Sequence, residues 1–120
     1  MLKVKTFLKE SGEHGIGLFA GEFIPKGTVV FEEDDFTLII PDDEFEKMST
    51  EQKQFIEHYA YKQFGTYKLS VDNDRFMNHS NNPNVDDSIH VDKTIASRDI
   101  QPGEEITCDY RVIKMKWQPE

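Results

Sequence analysis

The 120-residue sequence has one cysteine, Cys108, and one tryptophan, Trp117. A lone cysteine excludes an intramolecular disulfide and any multi-cysteine zinc cluster, so no metal is expected and a reducing, intracellular setting, cytoplasmic or nuclear, fits best. Nowhere do 18 apolar residues run together, and MLKVKTFLKE carries no apolar core of signal-peptide length. Neither membrane spanning nor export by that route is expected. Basic residues are scarce beside acidic ones, 14 against 23, for a net charge of −9. Duplex nucleic acid is a poor partner for such a chain, because binding it needs a cationic surface that neutralises phosphates. The charge suits two other roles equally: keeping a small protein soluble, or speeding the encounter with a basic, lysine-rich polypeptide. Internal repeats and low-complexity segments are absent, and the length fits a single domain, residues 1–120.

What is present reads as short strands broken by turns. Alternation in LKVKTFL puts Leu2, Val4 and Leu8 on one face of a strand over 2–8, with SGEHGIG as a glycine-rich loop after it. LFAGEFIP, 18–25, is apolar on both sides of Gly21 and leads through a Pro25-Lys26-Gly27 turn into TVVFEE and FTLII. The period changes after Pro41. Ser49 and Gln52 offer a capping box, and Phe55, Ile56, Tyr59 and Ala60 share a helical face, predicting one helix over about 50–62. SIHVDKTIASRDI then alternates as a strand does, Gln101-Pro102-Gly103 turns, and EEITCDY is a further short strand. The tail RVIKMKWQPE has apolar residues at 112, 113, 115 and 117 and is expected to pack down. The sum is six to eight short strands around one helix, an α+β, β-dominated, mostly antiparallel fold.

Four asparagines stand in one stretch of ten, RFMNHSNNPN (75–84). Asn tolerates left-handed backbone and caps its own turn, and Pro83 biases Asn82 toward extended geometry. A turn has little need of Phe76 and Met77 beside His79, because apolar neighbours make unpaired amides and imidazoles costly. The residues alone fit both a site and an elaborate turn. Asn78-His79-Ser80 also matches a glycosylation sequon, a pattern that means nothing without secretion. Gly15-Ile16-Gly17 is a lone G-x-G with no helix after it, so it permits close backbone approach to a ligand or strand without marking a dinucleotide fold. Tyr110 could orient a reacting group, although tyrosines at strand ends are more often packing residues. His90 and Asp92 share a strand face as a metal pair would, but two ligands without fixed geometry are better read as a solvated hairpin.

Taken in order, GIGLFA (15–20), IPKGTVVFE (24–32), RFMNHSNNPN (75–84), IASRDIQPGEEIT (95–107) and CDY (108–110) resemble the SET domain of protein-lysine methyltransferases, over about residues 4–110. The resemblance implies small sheets around a knot-like crossing of the N-H-S segment and the C-terminal part. It implies S-adenosylmethionine on one side of that crossing and a substrate lysine entering a narrow channel from the other. By position, Gly15, Ile16 and Gly17 would line the cofactor, Asn78 would bond its methionine moiety and the His79 backbone its adenine. Arg75 and Phe76 would brace that segment, Tyr110 would stand at the methyl-transfer point and against the cofactor, and Trp117 in the tail 111–120 would help close the site.

Methyl transfer from a sulfonium needs alignment and a neutral amine rather than a strong base. A lysine with an ordinary pKa near 10.4 is neutral at pH 7 only at a cost of roughly 4–5 kcal/mol, which a desolvating channel and the sulfonium charge reduce. Three departures stand out from the family pattern. Flanking cysteine-rich zinc segments are missing, Glu33 stands where tyrosine is frequent, and Val85-Asp86-Asp87 follow P-N where an aromatic is frequent. Tyr59, Tyr61, Phe64 and Tyr67 of the central insert could supply the missing aromatics. The expected activity is S-adenosylmethionine-dependent methylation of a lysine in a basic, histone-like protein. The alternative is a SET-fold binding module without catalysis. A dimer is compatible with either.

Overall fold

The computed structural model describes residues 1–12, 15–63, 65–90 and 92–111. Its first element is a hairpin of β1 (Thr6–Ser11) and β2 (Gly15–Ala20), paired antiparallel from Thr6 opposite Ala20 to Ser11 opposite Gly15. Next come β3 (Val29–Glu32), β4 (Thr37–Pro41), helices α1 (Asp42–Glu46) and α2 (Thr50–Tyr59), β5 (Tyr61–Gln63) and β6 (Thr66–Ser70). One turn of 3-10 helix, Asn73–Phe76, leads into β7 (Asn78–His79), followed by β8 (Val85–Asp86), β9 (Lys93–Ala96) and β10 (Thr107–Cys108). Two antiparallel sheets have the orders β3-β9-β8 and β4-β6-β5, while β7 and β10 run parallel. The fold is β-dominated α+β, with small sheets that are mostly antiparallel.

Two apolar clusters hold these pieces. Leu18, Ile24, Val30, Met77, Val85, Ile100, Ile106 and Cys108 are buried in the larger one, which gathers residues from every part of the chain except the helical insert. Each large aliphatic side chain removed from water there contributes about 1.5–3 kcal/mol. The second cluster, Ile40, Phe45, Ile56 and Leu69, seats both helices on β4 and β6. Two turns close where the sequence placed them. Thr28 N–H donates to Pro25 O and Glu104 N–H to Gln101 O, with Gly27 and Gly103 at φ 89° and 85°. Positive φ at the third turn position is the requirement that glycine meets without strain.

Strand boundaries differ from the periodicity, and pairing is the reason. The strand expected over 2–8 runs from Thr6 to Ser11, because its partner β2 begins at Gly15, not Leu18, so that Ser11 and Gly15–Gly17 of SGEHGIG belong to the paired strands. Leu8 is therefore 38% exposed, whereas Leu2 and Val4 pack on the core from a segment that precedes the strand. The Phe23–Pro25 half of LFAGEFIP is not strand; Ile24 makes an isolated bridge to Ile100 instead. Within SIHVDKTIASRDI only Lys93–Ala96 is strand, and EEITCDY supplies only the two residues of β10. Helix α2 begins at Thr50 as expected but stops at Tyr59, since Tyr61–Gln63 are taken by pairing with β6. Phe55 on it is exposed and Ile56 buried. The acidic run after Pro41 forms α1, an element that its charges did not suggest. Among the described residues no helix is long and apolar enough to cross a membrane.

Both halves of the capping box on α2 are formed, Gln52 N–H donating to Ser49 Oγ at 3.1 Å and Ser49 N–H to Gln52 Oε1 at 2.9 Å. Ser49→Ala is expected to lower unfolding stability by about 1 kcal/mol. Urea denaturation checks this, and an unchanged midpoint would mean that packing on Ile40 and Leu69 alone fixes the helix.

Candidate functional site

The site grows from the parallel pair. Asn78 lies opposite Thr107 and His79 opposite Cys108, and Ser80 N–H extends the ladder to Cys108 O at 2.9 Å. Parallel pairing of segments about thirty residues apart needs a fastener, and Asn84 supplies it. At 1% exposure its side-chain amide donates to Glu105 O at 2.8 Å and Glu104 Oε2 at 3.2 Å, its Oδ1 accepts from Thr107 N–H at 2.9 Å, and its own N–H donates to Thr107 O at 3.2 Å. The sequence suggested no more for Asn84 than closing a turn. Its buried side-chain amide is satisfied by residues twenty or more positions later. Asn82 fits the turn role better, its carbonyl and side chain accepting from the Arg98 guanidinium at 3.3 and 3.5 Å.

His79 and Tyr110 are tied together. The Tyr110 N–H donates to His79 Nδ1 at 3.1 Å, so the ring carries its proton on Nε2, which donates to Asn81 Oδ1 at 3.0 Å. Tyr110 Oη–H donates to Met77 O at 2.6 Å, leaving the phenol oxygen as an acceptor. Burial, then the neighbouring Cys108 and Asp74, push the Tyr110 hydroxyl up to about 12, so it stays protonated at neutral pH. Next to it, Arg111 grips Asp109 through two nitrogens and holds its carboxyl at about 2. Cys108 is buried, and burial raises its thiol well above the ordinary range, which makes it an inert packing group.

The G-x-G stretch meets the parallel pair from the hairpin. Asn78 Nδ2 donates to Ile16 O at 3.1 Å and to Glu105 Oε2 at 2.9 Å, and Ser11 Oγ donates to Glu105 Oε1 at 3.1 Å. A Cβ added at Gly17 would collide with Glu105 Oε2 and stand 3.1 Å from Asn78 Nδ2. A side chain at 17 would therefore have to displace the tip of a carboxylate 88 positions later. Gly15, Ile16, Gly17, Asn78, His79 and Tyr110 are brought into one neighbourhood. Arg75 and Phe76 stand behind it: the guanidinium lies 4.8 Å from the Phe76 ring and 5.9 Å from Tyr59 and donates to Asp72 O at 3.2 Å. Trp117, Met115 and the tail 112–120 lie outside the described residues, as does Phe64.

Two of the departures from the family pattern, Glu33 and Asp87, meet near Tyr61. Glu33 accepts from Lys68 Nζ at 2.8 Å, and Asp87, buried, accepts from Thr94 Oγ1 at 2.5 Å. Tyr61 is brought to them from β5. Burial and then the charges of Glu33, Asp74 and Asp87 raise its hydroxyl far above the ordinary range. Of the insert's other aromatics, Tyr67 stacks on Phe45 and Tyr59 packs on Phe76, so Tyr61 is the one that joins the carboxylates. Asp74, which sequence reasoning missed, lies within electrostatic reach of both Tyr61 and Tyr110. Its one signal in the sequence is a carboxylate directly ahead of the R-F-M run. No group of three or more His, Cys, Asp or Glu among the described residues gathers as a metal site.

A family model described as SET domain matches residues 15–111. No curated protein sequence matches the chain. Among solved structures, a chain of apo ctPRC2 with two mutations in Ezh2 aligns with a TM-score of 0.71 at 24% identity, over 89% of this chain and 15% of that one. A Plasmodium falciparum protein described as a candidate histone methyltransferase gives 0.63 at 23% identity, over 91% of this chain and 95% of that one. A chain of a humanized mutant of Chaetomium thermophilum Polycomb Repressive Complex 2, bound to an inhibitor, gives 0.67 at 22% identity, over 97% and 16%. These likenesses establish the fold, and the chain spans about a sixth of the Polycomb chains.

Burial, then Asp87 and Asp72, raise the Asp74 carboxyl from 3.8 to about 7. Between those values the folded chain holds a proton that the unfolded chain has lost, so this group costs stability as pH rises through the window. Asp74→Asn is expected to gain on the wild type by on the order of 2 kcal/mol as pH rises from about 4 to about 7. Denaturation curves across that range check it, and a pH-independent difference would place Asp74 in water.

Proposed function

The chain belongs to the SET domain family, and we propose that it methylates the side-chain amine of a protein lysine, with S-adenosylmethionine as methyl donor. When bound, S-adenosylmethionine supplies a methyl group on a sulfonium, which in-line attack by a neutral amine displaces. The residues present fit such a cationic ligand: the bare Gly17 backbone is flanked by the Glu105 carboxylate and the Asn78 side chain, and Ile16 beside it is 47% exposed. Gly15, Ile16, Gly17, Asn78 and the His79 backbone would hold it.

The observation that carries the reading is the Tyr110 hydroxyl. With its hydrogen given to Met77 O, the oxygen presents lone pairs only, and it can accept an N–H of the incoming amine and so aim the nitrogen lone pair. Being protonated at neutral pH, it neither takes a proton nor attracts an ammonium as a phenolate would. The His79 bond to the Tyr110 N–H and the Cys108 pairing fix the backbone from which it acts. The net charge of −9 favours a basic protein substrate. An intracellular setting follows from such a substrate.

Incubation with labelled S-adenosylmethionine and a panel of basic proteins is expected to label a lysine. Cofactor binding without transfer to any of them would favour the non-catalytic binding module. Tyr110→Phe is expected to lower the transfer rate about 100-fold while leaving the far-ultraviolet dichroism and S-adenosylhomocysteine affinity close to wild type. A rate within a fewfold of wild type would remove Tyr110 from the reaction.

A further inference from the structure

We infer that Glu105 is the counter-ion for the α-ammonium group of the cofactor's methionine moiety, and that it sets the site's preference for ligands carrying that group. This rests on the methyltransferase reading and deepens it. The two glutamates of the G-E-E sequence have separate tasks. Glu104 completes the Gln101–Glu104 turn, its carboxylate accepting from Gln101 N–H at 2.9 Å and from Asn84. Glu105 faces the hairpin, where it bridges to Phe19, takes hydrogen bonds from Ser11 and Asn78, and fills the space that a side chain at 17 would occupy.

This carboxylate is part-buried and, among the described residues, no Lys, Arg or His pairs with it. The cations nearest in sequence are committed elsewhere, Arg98 to Asn82 and Pro83 and Arg111 to Asp109. Arg75 lies on Phe76 and Tyr59, and Lys9 stands 5.3 Å over the Phe19 ring. A negative charge withdrawn from water without a counter-charge is costly, and a cationic ligand relieves that cost. A carboxylate has about four acceptor positions, of which Ser11 and Asn78 use two.

The neighbouring amide settles the sign of the ligand group. Both N–H groups of Asn78 are spent, one on Ile16 O and one on Glu105, so its Oδ1 is what remains to offer. The Ile16 carbonyl keeps a second lone pair. The Glu105 carboxylate, the Ile16 carbonyl and Asn78 Oδ1 are three acceptors, one of them charged, on the residues around Gly17. An ammonium with three hydrogens suits that set, whereas a ligand carboxylate would meet a like charge.

Calorimetric titration of the intact chain with S-adenosylhomocysteine and with its analogue lacking the α-amino group tests this. Wild type is expected to bind the amino form about tenfold or more tighter. Glu105→Gln, which keeps the shape and one of the two acceptor positions while removing the charge, is expected to lose most of that preference by weakening the amino form while the analogue changes little. Equal weakening of both ligands, or an unchanged preference, overturns the assignment. Should the variant not fold, the wild type still decides: equal affinity for the two ligands overturns it. Heat from neither ligand overturns the methyltransferase reading itself.

Discussion

A buried asparagine side chain holds this molecule's site together. The Asn84 side chain donates twice and accepts once across to residues 104–107, and that exchange helps to keep β7 and β10 side by side. A two-residue parallel pair has little stability of its own, since parallel ladders gain their strength from length and burial. Here the ladder is braced from one end by Asn84 and from beneath by Met77, Val85, Ile106 and Cys108. Asn78, His79 and Tyr110 belong to or directly follow those two strands, and Ile16 is bonded to Asn78.

The two sides of that pair have different electrostatics, and the difference matches the chemistry. Toward the hairpin the site offers acceptors around a bare backbone, which a compact cation with several hydrogens can satisfy. Toward β5 and β8 it offers carboxylates screened by two tyrosines, whose hydroxyls burial keeps neutral. Tyr110 has its proton committed to Met77. A fixed neutral acceptor of this kind can orient an amine without trapping it as a phenolate–ammonium pair.

Much of this was legible where local physics dominates. The capping box gave the start of α2 because both partners lie within one turn, and the K-G and P-G turns follow from the φ that glycine alone adopts freely. The neighbourhood of Asn78, His79, Gly17 and Tyr110 was legible only through the family resemblance, since no periodicity joins residues 17 and 78. Strand ends, the role of Asn84, the charge at Glu105 and the displaced titration of Asp74 were not legible. Each depends on partners brought in by tertiary pairing, and a side chain's surroundings are not a property of its sequence neighbours. Glu33 looked like a loss of an aromatic; Tyr61, arriving from a different strand, shows that the position's surroundings had been rebuilt, not emptied.

The register of Asn78 with Thr107 also carries an order in time. A growing chain can form the β1–β2 hairpin and the helical insert early, since their partners are near in sequence. It cannot pair β7 or satisfy the Asn84 amide until residues 104–108 have been made. The arrangement of Gly17, Asn78 and Glu105 is therefore among the last parts of the molecule to form.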